Sequence, residues 1–283
     1  FLTGDPREAR AMRWINRRPD RFWTLVLSVL PFALLALAYA TGSAARLAAN
    51  PNDRLLPSIE TIAGAFHALA FVADPRTGSY LFWTDTLASL SRLGAALGIA
   101  TGVTLVVSLA IGLLPVVRTA LAPFVATLSM VPPLALLPVL FIVMGLGESS
   151  KIALIAIGVT PVMIRDLSGK IAELPREQWI KAQTLGASSW QIALRMVLPQ
   201  AMPRLLTSLR LQLGPAWLFL IAAEAISSDS GLGYRIFLVR RYLSMDVIFT
   251  YVVWITILAL AMNLVLEGIR RRAFPWSNVG GAA

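Results

Sequence analysis

Residues Leu174-Pro175-Arg176-Glu177-Gln178-Trp179-Ile180-Lys181-Ala182-Gln183-Thr184-Leu185-Gly186-Ala187-Ser188-Ser189-Trp190, running on to Leu198-Pro199, form a polar island between hydrophobic segments. Pro175 suits a helix start, and a helix can run from it to about Leu185. Gly186 interrupts that helix. Ser188 and Gln191 then have the spacing of a capping box, opening a second helix that Pro199 and Pro203 are expected to end. Two short helices meeting at a glycine elbow would make a compact knob outside a bilayer, the kind of ordered loop expected where a partner docks.

The flanks of the island explain the bilayer. Of all residues 57% are hydrophobic and only 14% charged, against about a quarter charged in soluble domains. Uncharged runs cover 22–41, 93–117, 119–147 and 247–266, each long enough for a hydrocarbon core. Two shorter apolar runs, 152–164 and 211–223, can reach that length by continuing past a charged residue that faces protein or water. The expected fold is therefore an all-α polytopic membrane protein of about six transmembrane helices, with both termini on one side. Lys and Arg choose the side. With the termini inside, the inner segments hold seventeen of the 25 basic residues. The outer ones are Arg46, Arg54, Arg76, Arg92, Lys151, Arg235, Arg240 and Arg241. This asymmetry predicts cytoplasmic termini and a cytoplasmic 174–199 loop. It also accounts for the net charge of +10 without nucleic acid. The basic start runs into a full-length span with no small-residue cleavage site, so no signal peptide is evident. The expected organisation is a charged leader at 1–21 and a first transmembrane helix at 22–41. An outer loop at 42–91 follows, carrying a surface helix at 59–70, then a five-helix core at 92–276 and a tail at 277–283.

The polar island resembles the coupling loop of ABC importer permeases, whose motif reads Glu-Ala-Ala, three residues, Gly, and further on Leu-Pro. Ala182, Gly186, Leu198 and Pro199 stand in register, whereas Ile180 and Lys181 replace the first two motif residues, so the acid is missing. Thr86-Leu87 with Arg92, Val131-Pro132-Pro133-Leu134-Ala135-Leu136-Leu137-Pro138, Gly145-Leu146-Gly147-Glu148-Ser149-Ser150-Lys151, and Ala222-Ala223-Glu224 followed by Ser230-Gly231-Leu232-Gly233-Tyr234 look like the nitrate/taurine/sulfonate/bicarbonate branch. The resemblance implies a type I importer fold and a pathway built with a second copy or a close paralogue. It also implies two ABC ATPase subunits that bind ATP and Mg, and a periplasmic or lipid-anchored binding protein. The chain itself would be no enzyme, hold no cofactor, and sit multi-pass in the inner membrane. Residues Ile180, Lys181, Ala182, Gln183, Thr184, Leu185, Gly186, Ala187 and Ser188 would then contact the ATPase, with Ile180 packed within the knob and Lys181 facing solvent or an acidic group. The solute would be a small polar anion. A urea- or guanidine-type compound is the alternative suggested by the forms of 180–186 and 231–241, and an ATPase-independent secondary transporter is the alternative from another class.

Other residues carry narrower expectations. Gly94, Gly98 and Gly102 share one helix face, where small residues permit a close helix crossing. Pro123, Pro132, Pro133 and Pro138 interrupt the third span, which is tolerable only where protein or water satisfies the freed backbone. Met130, Val131, Pro132, Pro133 and Leu134 are therefore expected to line the pathway, with Glu224 and Ser227 at the same level of the fifth span. Glu224 reads as a gate element, a substrate contact, or an acceptor for backbone donors or Arg235. Arg165 and Asp166 would neutralise each other or meet headgroups. The single histidine, His67, has no companions at metal-ligand spacing, and the chain has no cysteine. No phosphate-binding loop, nucleophile elbow or HExxH is present, so energy for transport must come from a partner.

Overall fold

In the computed structural model, residues 19–278 are described apart from 52, 76 and 77. Every regular element among them is helical. The expected leader, with Arg7, Arg10, Arg13, Arg17 and Arg18, lies outside the described residues up to Arg18, as do Arg76 and most of the 277–283 tail. Among the described residues four helices are long and apolar enough to cross a membrane, and six spans result if each of two bent pairs counts as one.

The chain divides into two units, residues 1–60 and 61–283. In the first, α1 (Arg21–Ala49) runs past its expected end at Thr41. Residues 53–57 fold back on it: Tyr39 donates to the Pro57 carbonyl at 2.7 Å, Ser43 to that of Leu56 at 3.0 Å, and Arg46 pairs with Asp53. Arg46 and the Leu55 amide hold the Asp53 carboxyl below its ordinary range. The apolar side chains of α1 are almost all exposed, as suits a helix meant for lipid.

In the second unit, α2 (Ile59–Phe71) and α3 (Leu81–Leu113) come first. α3 begins well before the expected boundary at residue 92, and Asp85 and Arg92 lie inside it, because both are paired internally. An aromatic cluster holds α2 there: Phe66 meets Phe82 edge-on at 5.2 Å, and Trp83 donates to the Ala70 carbonyl at 3.0 Å. The third span breaks into α4 (Pro115–Leu128) and α5 (Leu137–Met144), joined through a single 3-10 turn at Pro133–Leu136 with an 85° bend. A residue preceding proline is pushed out of the helical region, and two successive prolines extend the chain at Pro132.

α6 (Glu148–Ala172) outruns the expected 152–164 segment and carries Arg165 and Asp166 within it. Asp166 pairs with Arg204 rather than with its neighbour Arg165. After α7 (Arg176–Thr184), one helical rod runs from α8 (Ser189–Gln191) through a π segment at Ile192–Val197 into α9 (Leu198–Leu211). Pro199 and Pro203 therefore do not end the second helix. The wider turn lets the Leu198 amide reach back to the Ala193 carbonyl, which absorbs the break at Pro199. α10 (Leu213–Ile226) continues at 45°, followed by α11 (Leu232–Arg240) and α12 (Met245–Ala273).

α3 and α6 form the closest pair, burying Leu93, Ala96 and Ala100 against Leu154, Ile155, Val159 and Met163. In lipid these contacts gain little from hydrophobic transfer, so close packing has to hold them. Glycine supplies it at Gly112, where an added Cβ would clash with the Ile171 side chain, and lets α6 approach its other neighbours at Gly158, where an added Cβ would lie 2.5 Å from the Phe219 ring of α10 and 3.1 Å from Pro133. It does not do so at Gly94, Gly98 and Gly102, where an added Cβ meets nothing within 4 Å. The expected close crossing along that face is absent from the fold of this chain. Gly158→Ala is expected to destabilise the protein by about 1–3 kcal/mol through overpacking, whereas Gly98→Ala gains up to about 1 kcal/mol from helix propensity. Thermal unfolding in detergent checks the pair, and equal responses would contradict this packing.

Candidate functional site

The knob is built by local rules. Pro175 caps α7, and Gly186 takes a left-handed φ of 74° that a side chain would strain. The Ala187 amide bonds the Ala182 carbonyl at 3.0 Å and the Gly186 amide that of Gln183 at 2.9 Å, a Schellman closure of the helix end. Ser188 and Gln191 form a reciprocal capping box: the Ser188 amide donates to Gln191 Oε1 at 2.9 Å and the Gln191 amide to Ser188 Oγ at 3.3 Å. Leu174, Trp179, Ala182 and Ala187 pack against the core, and Gln200 donates to Gln178 at 3.1 Å, tying α7 to α9. Ile180 does not pack within the knob. It is 63% exposed, with Leu185 at 79% and Trp190 at 72%, because the seam through Trp179 and Ala182 turns position 180 outward. Lys181, Gln183 and Thr184 are also exposed. The result is an apolar cap on a polar stalk.

The expected pathway residues separate into two places. Met130 to Leu134 occupy the break between α4 and α5, with Met130 74% exposed. Beside them, Val131 and Pro133 line a cavity of about 220 Å³ with Gln212, Pro215 and Phe219. Glu224 does not line that cavity. Its side chain is wholly buried, accepting from Ser89 at 2.8 Å, from Arg92 at 2.7 Å and from the Gly233 amide at 2.8 Å. Ser227 donates to the Leu146 carbonyl at 2.7 Å, bracing the turn before α6.

Around Glu224 the charges alternate. Arg92 also holds Glu148 with two donors and donates to the Ser230 carbonyl at 2.7 Å. Lys151 reaches Glu148 at 2.9 Å and Ser228 at 3.0 Å. Asp85 accepts from Arg235 at 2.8 Å, from Tyr251 at 3.1 Å and from the Gly231 amide at 2.9 Å. The Leu232 amide donates to Ser89 at 2.8 Å. Side chains from α3 and α10 thus satisfy the first amides of α11, which a helix start leaves open and electropositive. Gly231 has a φ of 127°, and a Cβ there would sit 2.6 Å from the Glu224 carboxyl and 2.7 Å from Arg92. The Ser-Gly-Leu-Gly sequence is the shape of this contact.

Sequence reasoning found Glu224 and its role as an acceptor for a backbone donor, the Gly233 amide, but its cation is Arg92 and not Arg235, which Asp85 takes. It placed Arg92, Lys151 and Arg235 in outer loops and passed over Asp85 and Ser89. The available signal was the spacing of Asp85, Ser89 and Arg92, one polar stripe along an apolar helix.

With this geometry in view, the relatives can be compared. Residues 94–276 match the family described as "Binding-protein-dependent transport system inner membrane component". The taurine transport system permease protein TauC of Escherichia coli is 34% identical, covering 97% of either chain. The bicarbonate transport system permease protein CmpB of Synechocystis is 32% identical over 55% of this chain and 56% of its own. Among solved structures, the inward-facing MetNI methionine ABC transporter has a chain superposing with a TM-score of 0.60 at 20% identity, covering 68% of this chain and 96% of its own.

Removing one partner of a buried ion pair leaves the other charge uncompensated, at a cost of about 3–5 kcal/mol. Arg92→Leu is expected to fall in that range and Glu224→Leu likewise, while the double variant loses less than the two singles together. Apparent melting temperatures of the three proteins form the cycle, and simple additivity would mean that Arg92 and Glu224 are not coupled.

Proposed function

Because the chain belongs to the family of binding-protein-dependent transport inner-membrane components, we propose a specific arrangement by which it serves as the permease of an ABC importer. Two copies, or one copy and a close paralogue, enclose the pathway. A binding protein delivers solute to the outer face, and two ATPase subunits holding ATP and Mg sit at the inner face. Both termini and the 174–199 knob are cytoplasmic. This reading is strengthened by the burial of Arg92, Lys151 and Arg235 in ion pairs, since they no longer count as outer-loop charges. Membership of this family favours the importer over the ATPase-independent transporter. The taurine and bicarbonate permeases among its relatives favour a small oxyanion over a urea- or guanidine-type compound.

The observation that carries the reading is the apolar cap of Ile180, Leu185 and Trp190 on an ordered knob. Residues Ile180 to Ser188 are proposed to seat in the ATPase, with the apolar side chains supplying contact where the family motif has an acid. Closure of the ATPase pair favours one position of the knobs, and the population of permease conformations follows. α7 is bonded to α9 and packed on the core, so its displacement moves helices rather than a loose loop. Met130, Val131, Pro132, Pro133 and Leu134 line the route at the break in the third span. Glu224 and Ser227 hold the outer ends of the helices in register.

Gly186→Val should disturb the elbow and its positive φ. The expected result is normal membrane insertion with loss of ATPase co-purification and of ATP-dependent uptake in reconstituted vesicles. Undiminished co-purification and uptake would remove the docking role. A cysteine at Ser188, in a chain with no native cysteine, should react with an impermeant thiol reagent only from the cytoplasmic side.

A further inference from the structure

Two adjoining cavities lie between α3, α4 and α6. The first, about 260 Å³, is lined by Arg118 and Arg165 together with Ser168, Gly169 and Ala172. Arg118 spends Nε on the Ile111 carbonyl at 3.1 Å and Nη2 on that of Gly112 at 3.0 Å. Arg165 spends only Nη1, on Ser129 at 2.8 Å. Among the described residues neither guanidinium has a carboxylate partner, and no acidic residue lines the cavity. The neighbouring Asp166 is committed to Arg204. Unspent donors of two cations therefore border one opening whose remaining lining is mostly apolar.

The second cavity, about 420 Å³, shares Val125 and Ile164 with the first and is almost entirely apolar, running along Ile99, Val103, Leu121 and Phe124. From Val107 back to Ile99 a helix advances about 12 Å, close to the depth of one leaflet of a hydrocarbon core about 30 Å thick. A cationic head continuous with an apolar groove one leaflet deep has the form of an amphiphile.

We propose that these cavities form one site for an anionic phospholipid, with its phosphate on Arg118 and Arg165 and an acyl chain against Val103, Leu121 and Phe124. Basic pockets between membrane helices recognise such headgroups by charge-assisted hydrogen bonds. Placement in the inner leaflet rests on the orientation proposed above, while the binding itself does not. A lipid held here would wedge α4 against α6, next to the break that leads into Met130–Leu134, so its loss would be felt at the pathway.

Native mass spectrometry of the purified chain, washed with neutral detergent and offered equal phosphatidylglycerol and phosphatidylcholine, reads the site directly. Wild type is expected to retain the anionic lipid at least about tenfold over the zwitterionic one. Arg118→Gln with Arg165→Gln should lose that preference, Arg118→Lys with Arg165→Lys should keep part of it, and Val103→Trp should lower retention by filling the groove. Unchanged retention in the Gln pair would overturn the proposal. Full displacement by millimolar inorganic phosphate would also overturn it, since it would reduce the site to a headgroup ion. So would disulfide formation between two copies through a cysteine at Val103 without retained lipid, since a second copy would then fill the groove. The side on which the Ser188 cysteine reacts tests orientation separately, so an outer-leaflet result there would move the lipid without removing it.

Discussion

A charged side chain inside a bilayer protein is tolerable only when paired or wet, and this constraint organises one end of the structure. Asp85, Glu148 and Glu224 are matched by Arg92, Lys151 and Arg235, joined through Ser89, Tyr251 and the amides of Gly231 to Gly233. Every carboxylate has donors, and each cation has a carboxylate. α3, α6, α10 and α11 meet at this cluster, so the packing below it inherits their register. Glu148, 56% exposed at the side chain, is the only one of the three acids open to the outside.

Sequence periodicity and length reveal most of the fold because apolar runs in a membrane protein answer to thickness. They fail where a helix passes through charge. α3 was shortened at Arg92 and α6 at Arg165 because a charge reads as a boundary until its partner is known, and the partners lie far away in sequence. Pro199 was read as a stop because the π segment that accommodates it has no local signature. The knob was legible almost to the residue, since a Schellman glycine and a capping box are made by neighbours. What Glu224 touches was less so, since its donors come from Ser89 and Arg92 on α3 and from Gly233 on α11.

The two candidate regions also differ mechanically. The knob is held by one short helix on the core and exposes its apolar residues, which suits a surface that must find a partner. The Glu224 cluster is enclosed and tightly bonded, which suits a fixed point. The α8–α9 rod connects the knob to α10, whose far end is anchored by Glu224. The 45° bend between α9 and α10 lies along that connection.

The cluster also determines what a passing solute feels. Three positive and three negative groups sit within a few bonds of one another, so their monopoles cancel and the remaining field falls off over a distance comparable to their spacing. An ion approaching this end of the protein is neither drawn in nor turned away by them. Any longer-ranged field at this end comes from uncompensated charge, which the exposed Asp229 carries with one sign and Arg240 and Arg241, at the end of α11, carry with the other. The cluster thus packs six charges together while adding little to the field beyond its own dimensions.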